Sequence, residues 1–287
     1  MRFEKWQALG NDYLIVEAEQ LPFEPTPERV RKLCAGHFGV FADGVLLLSR
    51  PDDAANVADL RIFNPDGSEA ELSGNGAREA ILYLRRRGWT DLDEFQIHTV
   101  AGPIRPTITG EYTCRVDMGQ AMLASKDFPS GPEDGRGTVS SGGHDWGFQH
   151  VSIGNPQCAI RVAGERELDA LDLPALGPAI EADAQFPNRT NVSWYAELEP
   201  GSTARIRARI FERGVGETLS SGTGATGAAV AYATERGLGD ARILVTLDGG
   251  ELEVEVDAER NVHLSGWARP VFAGELSEPF LEDLSSN

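Results

Sequence analysis

The sequence predicts an α+β fold of two pseudo-twofold-related domains, each with strands wrapped around a central helix. Three observations predict it. An ungapped internal repeat links the two halves. Strand-like alternation flanks each copy. The second copy also holds a helix-length segment made almost wholly of small apolar residues.

The run from Arg61 to Ala77 overlays the run from Arg209 to Ala225, 148 residues further on. Arg, Ile, Phe, Glu, Ser, Gly, Gly and Ala all coincide without a gap. Such a period is too long for a solenoid and marks a duplicated domain. The domains are expected at 1–120 and 121–267, with 268–287 packing back on the first.

Each copy opens on a glycine turn, Leu9-Gly10-Asn11 and Ile153-Gly154-Asn155. Apolar strand-like runs follow, Tyr13–Val16 and Cys158–Val162. A short helix starts at Thr26 as N-cap with Pro27 in its first turn, and Asp172–Ala184 is its counterpart. A strand then enters a Gly-rich turn and a longer helix, expected over Gly76–Arg87 and Gly224–Arg236. The first carries Ala77, Ala80, Ile81 and Leu84 at helical spacing, and Arg85 to Arg87 suit its C-terminal dipole. The second is so small and apolar that it should be buried. Strands are expected again over Pro103–Thr109 and Glu251–Asp257. Pro129–Gly147, rich in Gly, Pro and Ser, reads as an exposed loop. The acidic tail from Glu275 reads as loosely ordered at Ser285-Ser286-Asn287.

Composition narrows the function. The net charge of −19 repels phosphate backbones, which excludes nucleic acid as a natural partner. Solubility or adaptation to salt is the plain reading of that acidity. Three widely spaced cysteines, Cys34, Cys114 and Cys158, form neither a disulfide framework nor a zinc spacing, and read as buried packing residues. The charged, alternating N-terminus lacks the apolar core of an export signal, and no stretch approaches a membrane span. A cytoplasmic protein is expected.

Ser73 and Ser221 each precede Gly-x-Gly at a helix start. Unpaired N–H groups and the helix dipole there suit an anion. The plain alternative is that the serines are N-caps and the glycines only permit the turn. Duplication favours the anion, because two matching turns can converge on one cleft. Gly222-Thr223-Gly224-Ala225-Thr226-Gly227 also fits the G-x-G-x-x-G dinucleotide fingerprint. A polar turn, Arg213 to Ser220, separates it from its strand, and the first copy lacks the third glycine, so nucleotide binding is set aside.

The strings Gly10-Asn11-Asp12-Tyr13, Ala42-Asp43-Gly44, Phe63 to Ser68, Ser73 to Arg78, Gly154-Asn155-Pro156, Phe186 to Val192 and Glu212 to Thr218 are together highly specific. Over nearly its whole length the chain resembles the diaminopimelate epimerase family. The resemblance implies a pair of like domains and cofactor-free, metal-free inversion of an amino-acid α-carbon. The reaction would convert LL- to meso-diaminopimelate, a step of lysine and peptidoglycan biosynthesis. One group removes the α-proton and another returns one from the opposite face. The resemblance implies that the substrate is held by Asn11, Asn64, Gly74, Asn75, Asn155, Asn191, Glu212, Arg213, Gly222 and Thr223. Its distal end would lie near Asn64, Asn155, Asn191 and Arg213. The partner is then a small amino acid, and a homodimer is in keeping with the family.

Proton transfer falls on Ser73 and Ser221, which should face one another across the substrate carbon. The family has cysteines at both places. Glu212 assists one of them. Gln157 stands where the family has a histidine that assists a thiol. A serine hydroxyl is far less acidic than a thiol and needs an adjacent base to act. Gln157 cannot accept a proton. Two alternatives therefore stay open: an impaired homologue that binds the amino acid without turnover, or an isomerase or dehydratase for another amino acid. His150, near the second Gly-Asn turn, is a candidate stand-in base, and His37 reads as a turn or core residue.

Overall fold

Apolar alternation builds the same pattern of paired strands twice. In the computed structural model, which describes residues 1–286, the chain divides into two units. One unit is Met1–Val116 with the segment from Gly266 onward, and the other is Asp117–Ser265.

The first unit runs β1 (Arg2–Ala8), β2 (Asn11–Glu17), α1 (Pro27–Cys34), β3 (Val45–Ser49), β4 (Asp59–Phe63), β5 (Glu69–Ala70) and α2 (Gly74–Arg86). It continues through β6 (Ile97–Thr99), β7 (Gly102–Ile104) and β8 (Pro106–Gly110) into β9 (Thr113–Gln120), where the chain passes to the second unit. That unit runs β10 (Arg136–Ser141), β11 (His144–Ser152), β12 (Pro156–Arg161), α3 (Glu165–Asp169), α4 (Leu173–Glu181), β13 (Asn191–Glu199), β14 (Thr203–Glu212) and β15 (Gly216–Thr218). Then come α5 (Gly222–Arg236), β16 (Ala241–Leu247), β17 (Gly250–Val256) and β18 (Asn261–Trp267). The chain ends with β19 (Arg269–Glu275) and α6 (Glu278–Ser285), which belong to the first unit.

The duplication shows in the pairing rules. In the first unit β1–β2 is antiparallel, β2–β3 parallel, β3–β4 antiparallel, β4–β6 parallel and β6–β7 antiparallel. The second repeats this order through β11–β12, β12–β13, β13–β14, β14–β16 and β16–β17. Each parallel step needs a crossover. Helices α1 and α2 supply the two in the first unit, and α4 and α5 supply those in the second.

The second unit's central strands are buried on both faces. Val192, Trp194 and Ala196 of β13 join Cys158, Ile160, Leu173 and Ile180 in one core cluster. Ser193, on the opposite face of the strand, donates from Oγ to the Gly224 carbonyl of α5 at 3.2 Å. The small residues of α5 permit this approach: a Cβ at Gly224 would lie 2.5 Å from Ile210 Cδ1. From Gly224 to Ala233 the helix is buried without a break, as its composition predicts.

Thr26 caps α1 and Asp172 caps α4, as expected. All three cysteines are buried and free. Both long helices start two residues before their expected positions, because Ser73 and Ser221 cap them. Three expectations need correction, and one short helix was not expected at all. Pro129–Gly147 is not one loop: its latter part forms the β10–β11 hairpin, with Ser141 opposite His144. Gly142 and Gly143, at φ +61° and +78°, make the two-residue turn that glycine alone adopts without strain. The strand expected over Pro103–Thr109 breaks at Arg105, where the chain leaves β6 and pairs with β9 instead. Helix α3 was hidden by its shortness. The tail is helical: Phe280 and Leu284, one turn apart, pack on the first unit's core, and Arg29 Nε donates to the Leu284 carbonyl at 2.7 Å. Ser285 and Ser286 complete this helical end, while Asn287 lies outside the described residues. No helix among the described residues is long and apolar enough to cross a membrane.

Candidate active site

Each unit presents a serine at the N-terminus of its central helix. Ser73 and Ser221 both adopt extended backbone, and their Oγ atoms accept from the N–H three residues on, Gly76 at 3.1 Å and Gly224 at 3.2 Å. The capping reading is therefore correct. It is also incomplete, because each hydroxyl has a second partner.

In the first unit that partner is Tyr13. Its phenol donates to Ser73 Oγ at 3.2 Å. The tight turn at Leu9 and Gly10, both at positive φ, delivers Asn11 and Tyr13 on one face of β2. Asn75 Nδ2 donates to Asn11 Oδ1 at 3.2 Å, and Asn11 Nδ2 to Asp43 Oδ2 at 2.8 Å. Arg78, fully buried, donates to the Gly74 carbonyl at 3.0 Å and to Asn75 Oδ1 at 2.5 Å. Asn11, Gly74 and Asn75 thus form one connected group around Ser73. Asn64 belongs to a separate turn, where its Nδ2 donates to Ser68 Oγ at 3.0 Å.

Beneath this group lies Glu79, fully buried and without a side-chain donor to its carboxyl oxygens. Burial pushes its pKa well above the usual carboxylate range; Arg78 pulls it down, and Asp12 and Asp43 add to the rise.

In the second unit Ser221 is buried and donates from Oγ to Glu212 Oε2 at 2.8 Å. Thr218 Oγ1 donates to the other oxygen, Oε1, at 2.8 Å. Burial raises the Glu212 pKa, against the lowering effect of hydrogen bonds from Thr218 and Ser221. A carboxylate so desolvated is a better proton acceptor than one in water.

Around this pair, Asn155 Nδ2 donates to Thr223 Oγ1 at 3.3 Å and Gln157 Nε2 to Asn155 Oδ1 at 2.7 Å. Gln157 is fully buried beside Gly227, and its Oε1 has no donor among the described residues. Within its own unit it orients Asn155. Asn191 Oδ1 accepts from the Arg213 N–H at 2.8 Å, and Arg213 Nη1 donates to the Asn188 carbonyl at 2.9 Å. The buried Glu181 secures both loops, accepting from Arg189 Nε at 2.8 Å and from the Gly214 N–H at 3.0 Å.

His150 is no stand-in base. Its Nε2 lies 2.9 Å from Ser125 Oγ and its ring sits between Phe128 and Phe186. Burial lowers its pKa, so it is neutral in that apolar setting. His37 is an exposed turn residue at φ +68°. Among the described residues no group of three His, Cys, Asp or Glu side chains is placed to hold a metal ion.

Tyr13, Asp43 and Thr218 lie within the strings that carry the family resemblance, but the sequence alone assigns them no role. Tyr13 had a usable signal, since it shares a strand face with Asn11. Glu181 had none, because nothing local marks a buried carboxylate whose partners come from two distant loops.

The chain is similar to known proteins over most of its length. The family model described as diaminopimelate epimerase matches residues 3–124 and 149–269. The diaminopimelate epimerase of Pelotomaculum thermopropionicum is 40% identical over 96% of this chain and 98% of its own. That of a Synechocystis species is 37% identical over 96% and 98%. Among solved structures, a phenazine biosynthesis protein of the PhzF family from Bacillus anthracis superposes with TM-score 0.69 at 19% identity, covering 96% of this chain and 99% of that one. A hydroxyproline epimerase from Agrobacterium vitis gives TM-score 0.64 at 15% identity, over 96% and 91%. At such identities these two likenesses speak for the fold alone.

Proposed function

Starting from a chain that belongs to the diaminopimelate epimerase family and is an isomerase of the epimerase type, we propose that it interconverts LL- and meso-diaminopimelate without a cofactor. Ser221 and Ser73 carry the two proton transfers. The observation that carries this reading is the chain Thr218–Glu212–Ser221, which gives a buried hydroxyl the adjacent base it needs. Glu212 takes the Ser221 proton as Ser221 takes the α-proton. The amide and N-terminal groups at Asn11, Gly74, Asn75, Asn155, Gly222 and Thr223 hold the substrate, and the helix starts favour its α-carboxylate and the charge that develops at the α-carbon. Asn64, Asn191 and Arg213 serve the distal end. Lysine and peptidoglycan precursors are the setting for that substrate.

The test is α-proton exchange in D₂O with LL- and meso-diaminopimelate, followed by proton NMR. Exchange at both isomers is expected. A second reading is binding without turnover. It is favoured by Gln157, which cannot accept a proton where the family has a histidine. Binding of diaminopimelate with no exchange would establish it. If S73C combined with S221C also fails to exchange, the substrate assignment is wrong.

A further inference from the structure

The two serines are bonded in opposite senses. Ser221 gives its proton to a carboxylate, leaving its oxygen to take another. Ser73 Oγ receives a hydrogen bond from the Gly76 N–H at 3.1 Å and a second from the Tyr13 phenol at 3.2 Å, the phenol being the stronger acid of that pair. With both lone pairs engaged in this way, Ser73 Oγ has its own proton left to give. Tyr13 is itself held in place: it is 5% exposed, and its ring packs so closely under Gly44 that a Cβ there would come within 2.6 Å of Tyr13 Cε1.

We propose that Tyr13 is the positioning residue that makes Ser73 a proton donor, so that the Ser73 half-site works as the acid and the Ser221–Glu212 half-site as the base. This rests on the epimerase reading. In the first half-reaction the Cα–H bond breaks, its proton passes to Ser221 Oγ, and the Ser221 proton passes to Glu212 Oε2. The bonding pair stays on the α-carbon. In the second, the Ser73 O–H bond breaks and its proton forms the new Cα–H bond. The Tyr13 phenolic proton moves to Ser73 Oγ in the same event, leaving phenolate at Tyr13. Water then returns a proton to Tyr13 and removes one from Glu212. A phenol, with an ordinary pKa near 10, supplies a proton far more readily than an alcohol. Reverse turnover starts from Tyr13 as phenolate and Glu212 protonated, and runs the same transfers backward.

Tyr13→Phe removes only the hydroxyl and leaves the ring under Gly44. With LL-diaminopimelate it should lower kcat at least ~10-fold, the lower end for loss of a proton-transfer group being about 100-fold when that group itself meets substrate, while KM moves less than about twofold. The same change in an S73C background should cost at least fivefold less, because a thiol with pKa near 8.5 needs no phenol to supply its proton. Equal losses in both backgrounds would make Tyr13 merely structural and overturn the proposal, as would an unchanged kcat. A second measurement separates this from failure of the epimerase reading. In protein carrying ¹³Cζ-tyrosine, Ser73→Ala should shift the Tyr13 resonance. No exchange by the wild-type chain, with that shift present, overturns the epimerase reading and the relay with it. Exchange by the wild-type chain without the shift overturns the Tyr13–Ser73 pairing alone.

Discussion

The two half-sites begin from equivalent residues and end with different chemistry. Ser73 and Ser221 stand 148 residues apart, as do Asn64 and Glu212, and Glu79 and Gly227. Tyr13 and Gln157 are likewise equivalent, each two residues after the asparagine of an opening glycine turn. In the first unit the serine's partner comes from that turn's strand, as Tyr13. In the second it comes from the end of β14, as Glu212. The positions left over do other work. Asn64 closes a turn with Ser68, and Gln157 packs beside Gly227 and orients Asn155. The repeat thus places the two serines at equivalent positions, and a different neighbour complements each. A carboxylate can draw a proton away and a phenol can deliver one, so equivalent serines of the two units have chemically opposite neighbours.

The strongest way to break this comparison is Glu212→Gln. The amide preserves the size and still meets Thr218 and Ser221, yet it cannot take a proton. A loss of about 10²–10⁴ in kcat is expected for such a base, measured as exchange of the α-proton. Retention of full activity would mean that Ser221 is not driven by Glu212.

Gly227→Ala tests why the equivalent of Glu79 has no side chain. The new Cβ would lie 2.8 Å from Gln157 Cβ. Overpacking of this kind costs about 1–3 kcal/mol, readable by urea unfolding. Combining it with Gln157→Gly, which removes that Cβ, should cost less than the sum of the two single changes, since the neighbours couple.

The smallest effect is expected at Glu79. Its folded pKa lies above the unfolded value, so the stability tied to its protonation is fully present below the unfolded pKa. It is lost as pH rises through the folded pKa. Glu79→Gln should therefore flatten the dependence of stability on rising pH and raise the melting temperature at alkaline pH by a few degrees, about 1 kcal/mol in a chain of this size. An unchanged slope between wild type and variant would show that Glu79 does not carry it.

Much of the fold was legible because its cues are local. Thr26 and Asp172 announce their helices by capping chemistry, and the small residues of α5 announce burial. The β10–β11 hairpin is not legible in the same way, because Gly142 and Gly143 suit a loop as well as a turn until their positive φ closes it. The tail helix is hidden in the sequence by its acidity, because the burial of Phe280 and Leu284 depends on a core built elsewhere.

The candidate site divides in the same way. The sequence by itself determined the duplicated scaffold, the two serine-capped helix starts, and the absence of a thiol at both. These follow from residue identity and spacing. Only the tertiary structure decided what each serine is bonded to. Tyr13 lies 60 residues from Ser73 and Glu212 lies nine from Ser221. Neither separation signals a contact, because strand pairing and helix packing, not sequence distance, bring those oxygens within reach. What each hydroxyl meets is a property of hydrogen-bond geometry, which the sequence encodes only through the fold.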